Sequence, residues 1–133
     1  KEYGFSCYNK NLGIDLNGFI DCIIRYADGE LGIIDYKTGV QSANSLEYYK
    51  LQISLYSLVA EQLFRQKVKT TAIHHIGSEI TVISMAEEEL SKYTAKLTDI
   101  GREIIAAAQA RSFVPNNSNC ALCPYTYFCK YAP

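Results

Sequence analysis

Two neighbouring apolar segments near the start of the chain each carry a carboxylate, and this pair constrains the fold most. The first segment ends with the letters GFID at 18–21, and the second reads IIDYKTG at 33–39. The turn between them, ADGE at 27–30, suits a hairpin. The sequence therefore predicts two adjacent antiparallel strands. An unpaired carboxylate inside an apolar strand is unfavourable, so Asp21 needs a partner.

The chemistry of the pair follows from the alternation of side chains along a strand. Asp35 and Lys37 share one face of their strand, and Asp21 lies in the predicted strand 14–26 on the face of Phe19. If the hairpin pairs as its turn indicates, Asp21 approaches Asp35. Two clustered carboxylates repel unless a cation lies between them, and hard oxygen ligands suit Mg²⁺ or Mn²⁺. The alternative is a solvated strand end.

The rest of the chain alternates between strand and helix patterns. Strands are predicted at 2–8, 14–26, 31–37, 70–76 and 80–84, and helices at 46–66 and 87–111. Asn44 or Ser45 is expected to cap the first helix. The first three strands predict an antiparallel meander. The order β-β-β-α-β-β-α predicts an α/β fold with a mixed sheet flanked by helices.

Length and charge limit the possible functions. The chain has 133 residues, which suffice for one domain covering 1–133. A formal net charge of −1 gives no overall attraction to nucleic acid, so DNA contacts depend on local basic residues or on a bound metal. Because no apolar run approaches the length of a membrane span, we expect no membrane partner.

A second polar pair lies in the first predicted helix. Gln52 and Tyr56 are four residues apart and therefore share one helical face. An amide beside a phenol can hydrogen-bond a phosphate, a base edge or the ammonium of Lys37. An ordinary helix surface is the alternative interpretation.

Three of the five cysteines cluster in a C-terminal segment at 112–133. Cys120, Cys123 and Cys129 have C-x2-C-x5-C spacing, whereas Cys7 and Cys22 lie in strand-like sequence. This clustering indicates a reducing, cytoplasmic setting and a metal or iron–sulfur site rather than disulfides. Three thiolates leave a tetrahedral Zn²⁺ or a cubane one ligand short. Free thiols are the alternative.

Taken together, the motifs resemble those of the PD-(D/E)XK nuclease superfamily. They are Gly18-x-x-Asp21, the DYKTG run at 35–39, and Gln52-x-x-x-Tyr56. The likeness is strongest to the RecB/AddB-type branch, which includes nuclease domains of bacterial helicase–nucleases and the CRISPR adaptation nucleases. The resemblance implies a restriction-endonuclease-like fold.

The resemblance also implies roles for individual residues. The implied ligands of Mg²⁺ or Mn²⁺ are two carboxylates and one carbonyl, namely Asp21, Asp35 and the backbone carbonyl of Tyr36. Lys37 would be catalytic together with the two carboxylates. Gln52 and Tyr56 would position the DNA. Cys120, Cys123 and Cys129 would join one upstream cysteine in holding a [4Fe–4S] cluster, with Zn²⁺ as the alternative.

For the whole molecule, the resemblance implies a DNA nuclease in end-processing, recombination or repair. It would act on single-stranded DNA or duplex ends, attached to a helicase domain or subunit. The family carries an acidic residue or a His on a helix before the first strand. We expect this chain, which opens at Lys1 in strand-like sequence, to be a piece that lacks that helix. The alternatives are a non-catalytic DNA-binding or scaffold module and a CRISPR-adaptation-type nuclease.

Overall fold

The structure is a computed structural model that describes residues 2–38, 43–77, 80–82 and 87–132. Within these ranges the strands are β1 (Tyr3–Asn9), β2 (Ile14–Ile20), β3 (Cys22–Arg25), β4 (Leu31–Lys37), β5 (Val68–His75) and β6 (Ile80–Val82). The helices are α1 (Ala43–Phe64) and α2 (Glu87–Ala110), followed by two short 3₁₀ helices, Asn117–Leu122 and Thr126–Phe128. The predicted α/β fold is confirmed, with one strand more than expected before α1.

The described strands form two sheets. β1 and β2 make a two-stranded antiparallel sheet, and the other four are ordered β3-β4-β5-β6. In the larger sheet β4 pairs antiparallel with β3 and parallel with β5, which pairs antiparallel with β6. Parallel neighbours need a crossover, and α1 supplies it between β4 and β5. The mixed sheet is therefore confirmed, but the first strands do not form one continuous meander.

The predicted strand at 14–26 is wrong in one respect, because it breaks at Asp21. β2 ends at Ile20 and pairs with β1, whereas β3 begins at Cys22 and pairs with β4. The Asp21 carboxylate accepts a hydrogen bond from the backbone N–H of Tyr36 at 2.8 Å. A side chain that takes a backbone donor competes with the ladder, which explains why the strand stops there. Asp21 thus lies in a bend rather than inside a strand.

The main core joins both sheets to α1. Its buried members come from β1, β2, β4 and α1, and they are Phe5, Ile20, Leu31, Ile33, Val59 and Ala60. β4 lies between two strands and beneath α1, and its apolar residues Leu31 and Ile33 are buried, whereas Ile34 on the opposite face is half-buried. A second cluster, Ile53 with Ile73, packs α1 onto β5. The first cluster holds α1 against β4, and the second holds it against β5.

The helices begin and pack slightly differently from the sequence pattern. α1 begins at Ala43, so Asn44 and Ser45 lie in its first turn and the predicted cap is wrong. In α2, Ile104 is 47% exposed although it is apolar, and Tyr93 is buried. The Tyr93 hydroxyl donates to both carboxylate oxygens of Glu47, at 3.0 and 2.9 Å. Polar contacts therefore help to fix α2 on α1.

The turn predictions are confirmed where the structure describes them. Gly29, in the turn between β3 and β4, has a φ of 89°, which is the left-handed region that favours glycine. Gly39 of the DYKTG run and the predicted strand end at 83–84 lie outside the described residues. Among the described helices, none has the length and apolar character needed to cross a bilayer.

Candidate active site

The C-terminal end of β4 carries a carboxylate beside an ammonium. Asp35 and Lys37 project from one face of the strand, as the alternation of side chains predicts. The distance from Lys37 Nζ to Asp35 Oδ2 is 2.7 Å. Among the described residues Oδ2 has this contact with Lys37 and no further hydrogen-bond partner. The ammonium of Lys37 therefore compensates the buried charge of the Asp35 carboxylate only in part.

Burial makes the Asp35 carboxylate unusual. The residue is 2% exposed, and burial raises the pKa of its carboxyl above the ordinary value. The Lys37 contact lowers the pKa in opposition, and the nearby Asp21 charge adds a smaller increase. A buried carboxylate with a like charge nearby favours either a proton or a bound cation.

Asp21 reaches the same end of the sheet from the bend before β3. The β3–β4 register pairs Cys22 with Ile34, so Asp21 directly precedes the paired part of β3, and its charge acts on Asp35. The hydrogen bond to the N–H of Tyr36 fixes the Asp21 carboxylate there. The predicted approach of the two carboxylates holds, although Asp21 reaches it through a bend.

A chain of hydrogen bonds leads from the lysine into α1. Lys37 Nζ donates to Gln52 Oε1 at 2.8 Å, and Gln52 Nε2 donates to the Tyr56 hydroxyl at 2.8 Å. Burial raises the pKa of the Tyr56 phenol, which keeps it protonated as a donor. The structure thus brings together five predicted site residues, namely Asp21, Asp35, Lys37, Gln52 and Tyr56.

Gly18 contributes to the packing around Tyr56, the last residue in this series of hydrogen bonds. A Cβ at this position would lie 3.1 Å from Phe5 Cζ, so glycine leaves room for the ring in the β1–β2 pair. The Phe5 ring in turn meets Tyr56 edge-on, with centroids 6.4 Å apart. The glycine of the Gly-x-x-Asp motif therefore has a packing role.

Two aromatic side chains complete the surroundings of Lys37, and the motif alone does not predict them. The Tyr49 ring centroid lies 5.0 Å from Lys37 Nζ, and His75 is the β5 residue paired with Lys37. The Tyr49 and His75 rings are 6.0 Å apart. Tyr49 could have been found from its spacing, since it precedes Gln52 by three residues on one helical face. His75 could be placed only with the parallel register of β5 known.

The donor set fits part of a divalent-cation site. Asp35 offers a buried oxygen that lacks a hydrogen bond, and Asp21 supplies a second carboxylate nearby. In the part of the chain that the structure describes, no group of three or more His, Cys, Asp and Glu side chains could hold a metal. The carboxylate pair alone therefore makes an incomplete shell.

The C-terminal cysteines lie together on a different part of the surface. Cys120, Cys123 and Cys129 line one pocket of about 330 Å³, and all are free thiols. The Thr126 hydroxyl donates to the carbonyls of Cys120 and Cys123, at 2.6 and 2.8 Å, which folds the segment on itself. Their side chains do not form a ligand cluster among the described residues.

Comparison with known families identifies the class of protein. A family model described as the PD-(D/E)XK nuclease superfamily matches residues 1–130, nearly the whole chain. The chain therefore belongs to the PD-(D/E)XK nuclease superfamily, and the predicted family is confirmed. Members of this superfamily generally use divalent metal ions.

Individual relatives carry more specific names. The CRISPR-associated exonuclease Cas4 of Francisella tularensis subsp. novicida (strain U112) is 27% identical over 126 residues, which are 95% of this chain and 62% of that protein. An ATP-dependent helicase/nuclease of Thermoanaerobacter sp. (strain X514) is 39% identical over 69 residues, which are 49% of this chain and 6% of that protein. The ATP-dependent helicase/nuclease of the same type from Moorella thermoacetica (strain ATCC 39073 / JCM 9320) is 29% identical over 65 residues, which are 49% of this chain and 5% of that protein. The chain spans less than two thirds of each relative.

Proposed function

We propose that this chain is a metal-dependent DNA nuclease domain that hydrolyses phosphodiester bonds. The observation that carries the proposal is the buried Asp35 carboxylate, which pairs with Lys37 at 2.7 Å at the end of β4. Asp21 lies in the bend next to this strand end, where its carboxylate accepts from the N–H of Tyr36, and its charge acts on Asp35. Two carboxylates and an ammonium at the C-terminal end of one strand can bind a divalent cation and a phosphate together.

Each site residue has a distinct part in this proposal. Asp21, Asp35 and the backbone carbonyl of Tyr36 hold Mg²⁺ or Mn²⁺. The bound ion supplies polarisation of the phosphate and a water of lowered pKa. Lys37 neutralises charge that develops on the phosphate oxygens and orients the attacking water.

The remaining polar pair positions the lysine and the DNA. The Gln52 amide oxygen accepts a hydrogen bond from Lys37, and this bond fixes the position of the ammonium. Tyr56 donates no hydrogen bond to a described residue and can therefore donate to a phosphate or a base edge. Both lie on one face of α1, so one rigid helix sets their spacing.

We propose DNA end-processing, recombination or repair as the setting, with single-stranded DNA or duplex ends as substrates. The names of the Thermoanaerobacter and Moorella relatives support attachment to a helicase domain or subunit. A CRISPR-adaptation-type nuclease is the second candidate. The Francisella relative favours it, because that alignment covers 95% of this chain.

For the C-terminal segment at 112–133 we propose a structural role within a single nuclease domain at 1–133. The C-x2-C-x5-C spacing of Cys120, Cys123 and Cys129 supports a [4Fe–4S] cluster completed by a ligand from elsewhere, or Zn²⁺ as the alternative, and binding would have to draw the three thiols together. Visible absorbance after anaerobic purification would distinguish iron–sulfur from zinc.

The proposed function is tested by incubating single-stranded and duplex DNA with Mg²⁺, with Mn²⁺ or with EDTA. Cleavage by the wild type is expected only with a divalent cation, and it should disappear in Asp35→Ala and Lys37→Ala. Asp15→Ala is the matched control, because Asp15 is an exposed carboxylate on β2. Cleavage that survives both site variants would disprove the assignment, and metal and DNA binding without cleavage would favour the scaffold module.

A further inference from the structure

Three side chains contact the Lys37 ammonium, and only two of them belong to the nuclease motifs. The carboxylate of Asp35 and the amide oxygen of Gln52 lie 2.7 and 2.8 Å from the ammonium. The third neighbour is the ring of Tyr49, whose centroid is 5.0 Å from Nζ. A cation within about 6 Å of an aromatic ring centre is attracted by the ring quadrupole.

The Tyr49 ring is itself fixed by both the helix and the sheet. It is half-buried and packs against Ile53 of α1 and Ile73 of β5, two residues that are almost fully buried. Its ring also meets His75 at 6.0 Å on the β5 side. The ring is therefore packed against α1 and β5 beside Lys37, unlike a side chain that extends into solvent.

The attraction between the ring and the ammonium does not depend on the charge state of a carboxylate, unlike the attraction of Asp35. The attraction of Asp35 for Lys37 weakens when the carboxylate is protonated or shares its charge with a cation. The ring quadrupole does not titrate and ligates no hard divalent ion. Tyr49 can therefore hold the ammonium when Asp35 does so less strongly.

We propose that Tyr49 is a positioning residue that holds the Lys37 ammonium at the end of β4 through a cation–π contact. The proposal rests on the assignment of Lys37 in the proposed function, and it adds a residue outside the Gln-x-x-x-Tyr motif. Tyr49 acts through Lys37 and touches no substrate.

The test replaces the ring electronics without changing the ring's size. Tyr49→Phe keeps the quadrupole, whereas pentafluorophenylalanine at position 49 has nearly the same shape and a reversed quadrupole. The first readout is the NMR order parameter of the Lys37 ammonium nitrogen, which needs neither DNA nor metal. The same pair of substitutions at Tyr8, an exposed tyrosine of β1, is the matched control.

Tyr49→Phe is expected to keep the wild-type order parameter, and the pentafluoro variant is expected to lower it. With DNA and Mg²⁺, kcat should fall roughly 2- to 30-fold in the pentafluoro variant at unchanged KM, the range that cation–π contacts support. Equal order parameters in the two variants would overturn the proposal. If no variant cleaves DNA, the proposed function fails, but the NMR comparison still decides the role of Tyr49.

Discussion

The carboxylate of Asp21 accepts a hydrogen bond from the backbone N–H of Tyr36 at 2.8 Å, and this contact ends one strand and begins another. The hydrogen bond joins the bend before β3 to Tyr36 of β4. Tyr36 lies between Asp35 and Lys37 in the sequence of that strand. One side chain therefore has a structural bond and a proposed role as metal ligand. The two roles can be separated by mutation.

Replacing Asp21 should separate stability from cation binding. Asp21→Asn keeps an oxygen that can accept from Tyr36, so its free energy of unfolding should stay near that of the wild type. Asp21→Ala loses the acceptor and should lower that free energy by about 1 kcal/mol, since the contact is largely exposed. Urea unfolding measures this difference. Mn²⁺ binding, followed by electron paramagnetic resonance, should weaken in both variants, and undiminished binding in Asp21→Asn would contradict the ligand role.

Asp35 should make thermal stability depend on divalent cations. An ion that binds only the folded state stabilises it by about 2.7 kcal/mol at a hundredfold excess over Kd. Saturating Mg²⁺ or Mn²⁺ should therefore raise the Tm of the wild type and leave that of Asp35→Asn unchanged. Asp15→Asn, on exposed β2 surface, should respond like the wild type. An equal rise in Asp35→Asn would place the cation elsewhere.

Gln52 should affect catalysis more than stability. Gln52→Leu keeps similar volume but removes the acceptor for Lys37 and the donor for Tyr56. We expect roughly a tenfold loss in kcat/KM, which corresponds to about 1.4 kcal/mol. Tyr56→Phe, which keeps the Lys37–Gln52 bond, should lose less. Steady-state cleavage of an end-labelled oligonucleotide compares the two, and an unaffected Gln52→Leu would exclude the positioning role.

An ion pair at the turn between β3 and β4 should make the free energy of unfolding slightly dependent on pH in the acid range. Lys69 Nζ lies 2.8 Å from Asp28, and this hydrogen bond holds the pKa of Asp28 below its ordinary value of 3.8. Because the folded pKa is lowered, the stabilisation is present above pH 3.8 and is lost as the pH falls through the folded pKa.

The measurement for this pair is the urea midpoint of wild type and Asp28→Asn between about pH 7 and about pH 2. The wild type should be slightly more stable at neutral pH, and the difference should vanish at the acid end. A difference that is constant with pH would mean that the Asp28 charge contributes nothing.

Several elements follow directly from local sequence. β4 begins and ends at the predicted residues, Leu31 and Lys37, because its alternating apolar run is bounded by a turn and by polar residues. The start of α2 at Glu87 was likewise predictable from the acidic first turn. The shared face of Asp35 and Lys37 needs only strand alternation.

The features that the sequence did not predict depend on contacts between residues far apart in the chain. The break at Asp21 depends on the N–H of Tyr36, a residue of another strand, so no local pattern encodes it. The place of His75 depends on the parallel pairing of β5 with β4 across the α1 crossover. Tyr49 has a readable helical spacing but no motif, and only the position of Lys37 reveals its use.

The most direct test of the central claim is single-turnover cleavage of labelled single-stranded DNA in Mg²⁺ by the wild type and Lys37→Gln. Lys96→Gln, an exposed lysine on α2, is the matched control. We expect Lys37→Gln to lower the rate constant about 100-fold or more, and Lys96→Gln to cleave like the wild type. Equal rates for Lys37→Gln and the wild type would contradict the claim.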